Sequence, residues 1–477
     1  MAFIGTAHVA AAPLSVLLFG CYGVAKCMQR NELVVWLDDH RARCDMQVEE
    51  IPWQASQEWA LQQGHLCHRS GGFFSIVGVS LEGGSSRHPP QPLIYQPEIG
   101  ILGFLLQRQA GRKHVLVQAK PEPGNVGLVQ ASPSVQATQS NYTRKHQGKE
   151  TPFLDYFIGM PDVEVHASTL QSEQGTRFLG KYNRNLLIEL PPSQVVDEVE
   201  GYRWAPLEEL CALLAMDFQI NTDARSVLVC SPWRLLAATG EPFQRWRGKG
   251  GLGEQLLCSY SAPERAFASS DEHVAGRLER MRETFAFTTQ MTSLGFAPEW
   301  MAGRAAVLPG AYGSFEVRHY QVSSSAREVD FWDQPLIAST EEGLAVLLAK
   351  EINGVLHFLF KCRAEIGFTE CFQYGPSIQS SGGVPAIIAG LDQEDEALMA
   401  ALQQVEPLLS SLHSDEGGRF YESVSCYRVM LLDSVQETPV TDALSWMTLA
   451  QIERFSQQQG FFSNEARSLV SMLLAYL

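Results

Sequence analysis

A polar stretch in the first half of the chain carries the side chains that binding an anionic ligand would need. Residues 136–145 read QATQSNYTRK and contain hydroxyl, amide and cationic groups but no carboxylate. Arginine binds phosphate oxygens as a bidentate fork, lysine as a point charge, and serine and threonine as neutral donors. Together with Lys120, Arg177, Lys181 and Arg184, this stretch predicts a diphosphate site. An ordinary solvated loop accounts for the same composition.

Two other motifs suggest chemistry that their surroundings do not favour. Residues 248–253, GKGGLG, fit a dinucleotide fingerprint, but that fingerprint requires a preceding strand and the segment PFQRWR has no strand character. His65, Cys67 and His68 cluster closely, yet a metal site needs three or four converging ligands and no second cluster is evident. The sequence therefore predicts neither a dinucleotide cofactor nor a bound metal.

The elements that position these residues come in two copies. The segment QPLI occupies 91–94 and again 334–337, and the pattern of 131–136 returns at 374–379, both at an offset of 243 residues. A register held over about 45 residues indicates a tandem duplication rather than a solenoid, whose period is far shorter. Any site built in one copy should have an intact or decayed counterpart in the other.

The chain length agrees with two units. A chain of 477 residues is too long for one hydrophobic core and predicts two domains of roughly 220 residues. The apolar start, which contains Pro13, Gly20 and Gly23, is short for a membrane span and lacks the basic residues that open a secretion signal. The expected organisation is an extension at 1–28, a first repeat at 29–240, a linker at 241–270 and a second repeat at 271–477.

The hydrophobic periodicity predicts an α+β fold in which each unit is a mixed sheet surrounded by helices. Helices are expected at 31–43, 54–63, 206–216, 272–284, 395–412 and 449–459. Strands are expected at 73–81, 99–108, 113–119, 127–130, 314–322, 344–351 and 355–361. Residues 109–112 and the pair Asn353-Gly354 predict hairpin turns.

Composition narrows the class of partner and the compartment. The formal net charge is −17, which argues against sequence-independent nucleic-acid binding because such binding needs a positive surface. A small phosphate-bearing ligand needs only a local basic pocket. The ten cysteines are scattered without a CxxC pair, which indicates reduced thiols and a cytoplasmic location away from a membrane.

Six segments together resemble the NDP-hexose 2,3-dehydratases of deoxysugar biosynthesis. The resemblance runs from about residue 30 to the end and is most specific in the first copy. It implies two tandem repeats similar to the Nudix hydrolase fold, with WAPLEEL at 204–210 as the strand-to-helix ending of one unit. The Nudix metal box is absent from both copies, so the resemblance implies the fold without its metal-dependent hydrolysis. The segments are EIGILG at 98–103, QAKPEPGN at 118–125, SPSVQATQSNYTR at 132–144, QSEQG at 171–175, NRN at 183–185 and NTDAR at 221–225.

The implied enzyme is a carbon–oxygen lyase acting on a dTDP-4-keto-6-deoxyhexose. It would remove water across C2 and C3 and give a 3,4-diketo-2,6-dideoxy sugar nucleotide, which a 3-ketoreductase then uses. No redox cofactor or metal is demanded, because the C4 ketone is already the electron sink. The family implies a homodimer. The alternatives are a nucleotide-sugar-binding protein that has lost catalysis and a metal-dependent pyrophosphohydrolase.

The reaction needs a base, an acid and donors for an enolate oxygen. Tyr142 is the expected proton donor, and Glu122 and Glu173 are the expected bases. Trp59 and Trp300 occupy equivalent points of the two copies and are expected to stack on the base or line the sugar pocket, although packing aromatics would show the same placement. The other expected substrate contacts are Lys120, Ser140, Asn141, Thr143, Arg144, Ser172, Arg177 and Arg184 in the first copy, with Arg363, Tyr374, Ser380, Ser381 and Arg419 in the second.

The second copy departs from the family pattern. Residues 379–385 read QSSGGVP without the Asn-Tyr pair, and YRV at 427–429 stands where the first copy has NRN. If the chemistry resides in the first copy, these losses matter little. The sequence leaves open which copy is catalytic.

Overall fold

The computed structural model describes residues 31–82, 90–139, 149–160, 163–294, 306–307, 315–380, 398, 405–433, 438 and 441–477. The helices are α1 Glu32–Arg43, α2 Asp155–Ile158, α3 Leu207–Leu213, α4 Thr222–Val229, α5 Trp233–Leu236, α6 Gly251–Tyr260, α7 Asp271–Thr284, α8 Leu449–Ser456 and α9 Asn464–Leu474. Within the described part of the chain, every helix is too short or too polar to cross a lipid bilayer.

The strands fall into two sets that follow each other along the chain. The first set is β1 Gln47–Ile51, β2 Trp59–Gln62, β3 His65–His68, β4 Ser75–Glu82, β5 Gln91–Tyr95, β6 Gly100–Gln109, β7 Arg112–Pro121, β8 Val129–Ser132, β9 Val135–Ala137, β10 Glu164–Ser172, β11 Phe178–Leu179, β12 Tyr182–Leu190 and β13 Tyr202–Pro206. The second set is β14 Thr288–Thr292, β15 Ala306–Val307, β16 Phe315–Ser323, β17 Phe331–Ser339, β18 Gly343–Ile352, β19 Val355–Ala364, β20 Phe372–Gly375, β21 Ile378–Ser380, β22 Pro407–Ser414, β23 Phe420–Tyr421, β24 Val424–Leu431 and β25 Leu444–Met447.

Each repeat is built on a seven-stranded mixed sheet, and the two sheets have the same topology. The first runs β10-β12-β6-β7-β13, with β8 on β7 and β9 on β6. The second runs β22-β24-β18-β19-β25, with β20 on β19 and β21 on β18. In both sheets one pair is parallel, β12 with β6 and β24 with β18, and it sets Asn183 beside Gly100 and Ser425 beside Gly343. This strand-for-strand match agrees with the predicted duplication and with an α+β class.

The two repeats exchange strands. β1 of the first repeat pairs antiparallel with β16 of the second, and β14 of the second pairs antiparallel with β4 of the first. A strand that leaves its own repeat to complete the other sheet makes the edges of both repeats interdependent. Neither repeat therefore has a complete set of sheets by itself.

Gly124 and Gly367 lie at two close approaches between the repeats. Gly124 N donates to Gly417 O at 2.9 Å, and Gly367 N donates to Gly175 O at 2.8 Å. A Cβ atom at Gly124 would lie 1.5 Å from Phe420 O, and one at Gly367 would lie 1.7 Å from Phe178 O. Only glycine lets the two backbones approach this closely.

Helices α4 and α9, one from each repeat, pack together in a core that runs through both repeats. Their buried arginines cross over. Arg467 donates to Ser226 Oγ at 2.9 Å and Arg225 donates to Ser471 Oγ at 3.0 Å. Because a buried charge is tolerated only when hydrogen-bonded, these reciprocal bonds fix how the two helices meet.

Most sequence-predicted elements are present, one was wrong, and another was wrong in its C-terminal part. The predicted helix at 54–63 is a 3₁₀ turn followed by a hairpin of β2 and β3. Residues 407–412 of the predicted helix at 395–412 belong to β22, where Leu409, Ser411 and His413 are buried alternately, as the period of a strand requires. Of the remainder, only Leu398 and residues 405–406 lie within the described residues. The predicted linker contains α6, whose Leu256 and Leu257 belong to the core.

Candidate active site

A cavity of about 300 Å³ lies where the two repeats meet. Its polar side comes from the first repeat, at one end of the β6, β7 and β12 strands and at the start of α4. Its aromatic side comes from the β2–β4 region of the first repeat and from β17 of the second. A loop of the second repeat at 415–419 closes it. The cavity is therefore composite, and each repeat alone supplies only part of its wall.

On the polar side, a buried hydrogen-bond network holds one lysine and one glutamate. Lys120, on β7, donates to Gln136 O at 3.2 Å, and its Nζ lies 3.9 Å from Glu122 Oε1. Glu122 accepts from Gln136 Nε2 at 3.0 Å, and Gln136 Oε1 accepts from Asn221 Nδ2 at 3.1 Å. Burial lowers the pKa of Lys120, and Glu122 opposes that shift. A buried amine of this kind can donate to a developing oxyanion in a site of low dielectric.

A second network lies behind the cavity wall. Glu173 accepts from Asn183 Nδ2 at 2.7 Å and from Asn464 Nδ2 at 3.0 Å. Asn183 in turn accepts from Gly100 N at 3.1 Å. The amide of Asn183 reaches the cavity, whereas Glu173 does not line it. Glu173 therefore fixes the orientation of Asn183, and its other carboxyl oxygen is bonded to Asn464 of the second repeat.

Asp223 stands at the first turn of α4 and faces the cavity. The helix begins there because Asn221 caps it, accepting from Ala224 N at 2.9 Å. Asp223 is 3% exposed, and its carboxyl makes no hydrogen bond to any described residue. Burial, followed by the nearby carboxyls of Glu416, Glu173 and Glu122, raises its pKa well above the ordinary value.

The second repeat contributes charged residues through its 415–419 loop. Arg419 donates to Gln96 Oε1 at 3.0 Å and its guanidinium lies 4.3 Å from the centre of the Phe74 ring. Glu416 is partly buried beside it, and its carboxyl makes no hydrogen bond to a described residue. Burial raises the pKa of Glu416 to about 7, and Arg419 opposes that rise. Lys181 faces this loop and donates to Glu98 O at 2.6 Å.

The opposite wall is aromatic. Trp59 is buried, packs 4.8 Å from the Phe74 ring centre, and donates through Nε1 to Asp333 O at 2.8 Å. Asp333 also accepts from Ser56 Oγ, and His319 Nε2 lies 2.6 Å from the same carboxyl oxygen. Phe73, Phe331 and Trp332 complete this wall. An aromatic wall facing a cationic and carboxylate wall fits a ligand with a flat ring at one end and polar groups at the other.

The equivalent place in the second repeat is a smaller pocket of about 40 Å³. It is lined by Gln379, Ser425, Asp415 and Glu465, and by Arg177 from the first repeat. Arg177 is buried and its guanidinium lies 4.1 Å from the Phe315 ring centre, which repeats the Arg419–Phe74 contact. The two pockets are thus lined by corresponding residues of the two repeats, with the contributions of the repeats exchanged.

The structure brings together some of the sequence-predicted site residues. Trp59, Lys120, Glu122 and Arg419 line the large cavity. Glu173 and Ser172 are buried outside it, and Ser172 Oγ donates to Gln373 Oε1 at 2.7 Å. Residues Ser140, Asn141, Tyr142, Thr143, Arg144, Trp300 and Ser381 lie outside the described residues.

Other predicted residues lie elsewhere. Arg184 is exposed and donates to Ser168 Oγ at 3.1 Å. Arg177 and Ser380 line the smaller pocket. Arg363 donates to Pro376 O at 2.9 Å, and Tyr374 is fully buried with its hydroxyl donating to Val274 O at 2.9 Å. Tyr374 therefore belongs to the core of the second repeat, because a strand of the sheet turns it inward.

Asp223, Glu416 and Asp333 were not predicted from the sequence as site residues, whereas Gln136 belongs to the polar stretch that was. Asp223 lies within the NTDAR segment, where Asn221 caps the helix and Asp223 follows in its first turn. Glu416 had a weaker signal, since SDEGGRF at 414–420 aligns with SEQGTRF at 172–178. That alignment predicts an equivalent loop but not that the loop crosses into the other repeat. In the described ranges, no group of three or more histidine, cysteine, aspartate or glutamate residues is arranged to hold a metal ion.

Comparisons with known proteins identify the family of the chain. A family model described as NDP-hexose 2,3-dehydratase matches twice, at residues 30–231 and 271–473. The chain is similar to three proteins named dTDP-4-dehydro-6-deoxy-alpha-D-glucopyranose 2,3-dehydratase. That of Saccharopolyspora spinosa is 33% identical over 96% of this chain and 93% of its own length. That of Streptomyces violaceoruber is 34% identical over 91% and 95%, and that of Amycolatopsis orientalis is 31% identical over 94% and 91%.

The double match confirms the duplication, and the similarity over nearly the whole chain confirms the sequence-based resemblance. Both also confirm the predicted reaction class, a carbon–oxygen lyase that removes water from a sugar nucleotide. The protein belongs to the NDP-hexose 2,3-dehydratase family.

Proposed function

We propose that the protein removes water across C2 and C3 of a dTDP-4-keto-6-deoxyhexose and that the reaction takes place in the large cavity between the repeats. The relatives from the three organisms carry this activity in their names. The product is a 3,4-diketo-2,6-dideoxy sugar nucleotide. A 3-ketoreductase would consume it, because a 1,2-diketone is reactive and needs to be reduced.

The chemistry divides into three events. A base takes the C3 proton, and the electrons of the C3–H bond move toward the C4 carbonyl to give an enolate. The enolate re-forms the carbonyl, a C2=C3 bond forms, and the C2 hydroxyl leaves as water after taking a proton from an acid. The resulting enol gains a proton at C2, loses the proton of its C3 hydroxyl and so becomes a ketone at C3. The protein must supply the base, the acid and a charge that stabilises the enolate oxygen.

The observation that carries the proposal is the composition of the cavity. Lys120 and Lys181 place two buried amines at its polar side, where an enolate oxygen or a diphosphate would be stabilised. Because the protein already buries these amines, little reorganisation is needed when charge develops. The carboxyls of Glu122, Asp223 and Glu416 face the same space, and those of Asp223 and Glu416 are available to transfer protons.

The nucleotide would bind along the aromatic wall. Trp59 and Trp332 offer ring faces and edges for thymine, and Arg419 offers a guanidinium for phosphate oxygens. Ser140, Asn141, Tyr142, Thr143 and Arg144 remain predicted diphosphate and sugar contacts. The adjoining residues Thr138 and Gln136 line the cavity, which supports that placement.

Incubating the purified protein with dTDP-4-keto-6-deoxyglucose, a 3-ketoreductase and reduced nicotinamide cofactor tests the proposal. A 2-deoxy sugar nucleotide seen by mass spectrometry supports it. Binding of dTDP by calorimetry without any such product would instead support a nucleotide-sugar-binding protein. Release of dTMP on adding Mg²⁺ would support a pyrophosphohydrolase and contradict the dehydratase.

We infer further that each repeat is a Nudix-like unit. The mixed seven-stranded sheet and the passage from β13 directly into α3 at 202–213 support this inference. The homodimer and the cytoplasmic location remain proposals. The described cysteines are all free thiols, which agrees with a reducing compartment.

A further inference from the structure

We propose that Asp223 of the first repeat and Glu416 of the second are the two groups that transfer protons at C3 and at the C2 hydroxyl. The inference rests on the proposed function and names its acid and base. One carboxylate takes the C3 proton as the C3–H bond breaks. The other, protonated, gives its proton to the departing C2 oxygen, which leaves as water.

The first support is the distribution of hydrogen bonds among the carboxyls around the cavity. Glu122 already accepts from Gln136 and Asn125, and Glu173 already accepts from Asn183 and Asn464. A carboxylate occupied by two amides orients those amides and has little capacity left for a substrate proton. The carboxyls of Asp223 and Glu416 face the cavity and have no hydrogen bond to described residues.

The second support is that the two carboxyls come from different repeats and meet only in the large cavity. In the smaller pocket the positions of Asp223 and Glu416 are held by Glu465 and Gln174. That pocket therefore has one carboxyl of the pair and an amide in place of the other. Its volume of about 40 Å³ is also too small for a hexose ring. Only the large cavity combines both carboxyls with room for a sugar.

The charges around the pair agree with proton transfer near neutral pH. Asp223 faces Glu416, Glu173, Glu122 and Lys120, and burial with the like charges raises its pKa. Glu416 faces Arg419, Glu173, Glu122 and Lys181, and burial raises its pKa to about 7. General acids and bases work best when their pKa lies near the working pH.

The test compares Asp223→Asn and Glu416→Gln with a matched change in the smaller pocket, Glu465→Gln. Each of the first two should lower kcat by about 100-fold or more, as loss of a general acid or base does. Affinity for dTDP and the melting temperature should stay close to wild type, because both replacements keep the shape of the side chain. Glu465→Gln should keep turnover within about threefold, since its pocket lies outside the reaction.

Proton exchange in D₂O then separates the two roles. The variant that lacks the base should lose exchange of the C3 proton, and the variant that lacks the acid should keep exchange without losing water. The pH dependence of kcat should lose one of its two limbs in each variant, because each variant lacks one of the two titrating groups. Turnover within about threefold of wild type in either variant overturns the pair, as does a joint loss of dTDP affinity and thermal stability.

Wild-type turnover is measured first, because it distinguishes failure of the proposed function from failure of the acid–base assignment. If the wild-type protein forms no 2-deoxy product, the proposed function fails. If the wild-type protein forms it and Asp223→Asn or Glu416→Gln forms it equally fast, only the assignment of the pair fails. Glu122→Gln and Glu173→Gln serve as comparison, with a smaller expected loss because they act through neighbouring amides.

Discussion

The two repeats share the hydrogen bonds that surround their pockets, but the pockets differ in volume. In both, a serine ties two strands together: Ser134 Oγ accepts from Leu105 N at 2.9 Å, and Ser377 Oγ accepts from Leu348 N at 2.9 Å. In both, a glutamine donates to a glutamate, Gln136 to Glu122 and Gln379 to Glu365. Yet one pocket measures about 300 Å³ and the other about 40 Å³.

The difference comes from side chains that face the pocket. Lys181 and Asn183 on the first sheet correspond to Ser423 and Ser425 on the second, so an amine and an amide are lost. Arg363, which corresponds to Lys120, turns back and donates to Ser377 O at 3.1 Å. The two repeats thus share the hydrogen bonds that shape the backbone, and they differ at the residues that a ligand would contact. The second repeat still contributes to the large cavity, because it supplies the 415–419 loop.

Breaking the glycine contacts between the repeats should have the largest effect. Gly124→Ala would place a Cβ 1.5 Å from Phe420 O, and Gly367→Ala would place one 1.7 Å from Phe178 O. Because the obstructing atoms are backbone, we expect either variant to lose more than about 4 kcal/mol or to fail to fold. Gly276→Ala, in the middle of α7, is the matched control and should be neutral or slightly stabilising. Chemical denaturation checks all three, and a folded Gly124→Ala protein with wild-type stability would contradict the closeness of the repeats.

The next largest effect should come from removing the amine of Lys120, and it should distinguish the large cavity from the smaller pocket. Lys120→Met keeps most of the side-chain volume but removes the amine that faces the cavity. We expect kcat to fall by about 100-fold, the loss seen when one donor to an oxyanion is removed. Arg363→Met, at the equivalent place in the second repeat, should keep turnover within about threefold. Steady-state kinetics on both variants checks this, and an equal loss in both would place the chemistry across both pockets.

Stability should depend on pH through Glu365, a buried carboxyl that accepts from Gln379 beside the smaller pocket. Burial, with the nearby Glu465 carboxyl, raises the pKa of Glu365 to about 8, well above its ordinary value. The folded protein then holds a proton that the unfolded chain has released, so folding is favoured at low pH and loses stability as pH rises toward 8. Glu365→Gln removes this ionisation. We expect wild type to lose about 2–3 kcal/mol more than the variant between pH 6 and pH 8.5. Urea unfolding at both pH values measures the difference, and parallel losses in the two proteins would contradict the assignment.

The aromatic wall should give the smallest effect. Trp332 comes from the second repeat, lines the large cavity and lies 5.8 Å from the Arg327 guanidinium. Trp332→Ala should weaken dTDP binding by about 1 kcal/mol, the contribution typical of one aromatic contact. Phe285→Ala, an exposed aromatic at the end of α7, is the control and should bind dTDP like wild type. Calorimetric titration with dTDP measures both, and unchanged affinity for Trp332→Ala would remove it from the nucleotide site.

The sequence determined the duplication, the class of fold and most helices and hairpins, because these depend on local periodicity and turn residues. Asn31 at the start of α1 and Asn353-Gly354 between β18 and β19 are local signals that the structure obeys. The sequence also indicated Lys120 and Glu122 as site residues through the segment they share. It failed at 54–63, where Trp59 packs against Phe74 just before β4 and against His319 of β16, and the segment becomes a hairpin.

Only the tertiary structure decided which residues share a cavity. Glu416 and Arg419 lie far along the chain from Asp223, and they meet because the 415–419 loop crosses onto the first repeat beside Gly124. The exchange of β1 and β14 between sheets likewise leaves no local pattern, since each strand has the same residues whichever sheet it joins. Long-range pairing is set by the packing energy of the whole molecule, so the composite site follows from how the two repeats assemble.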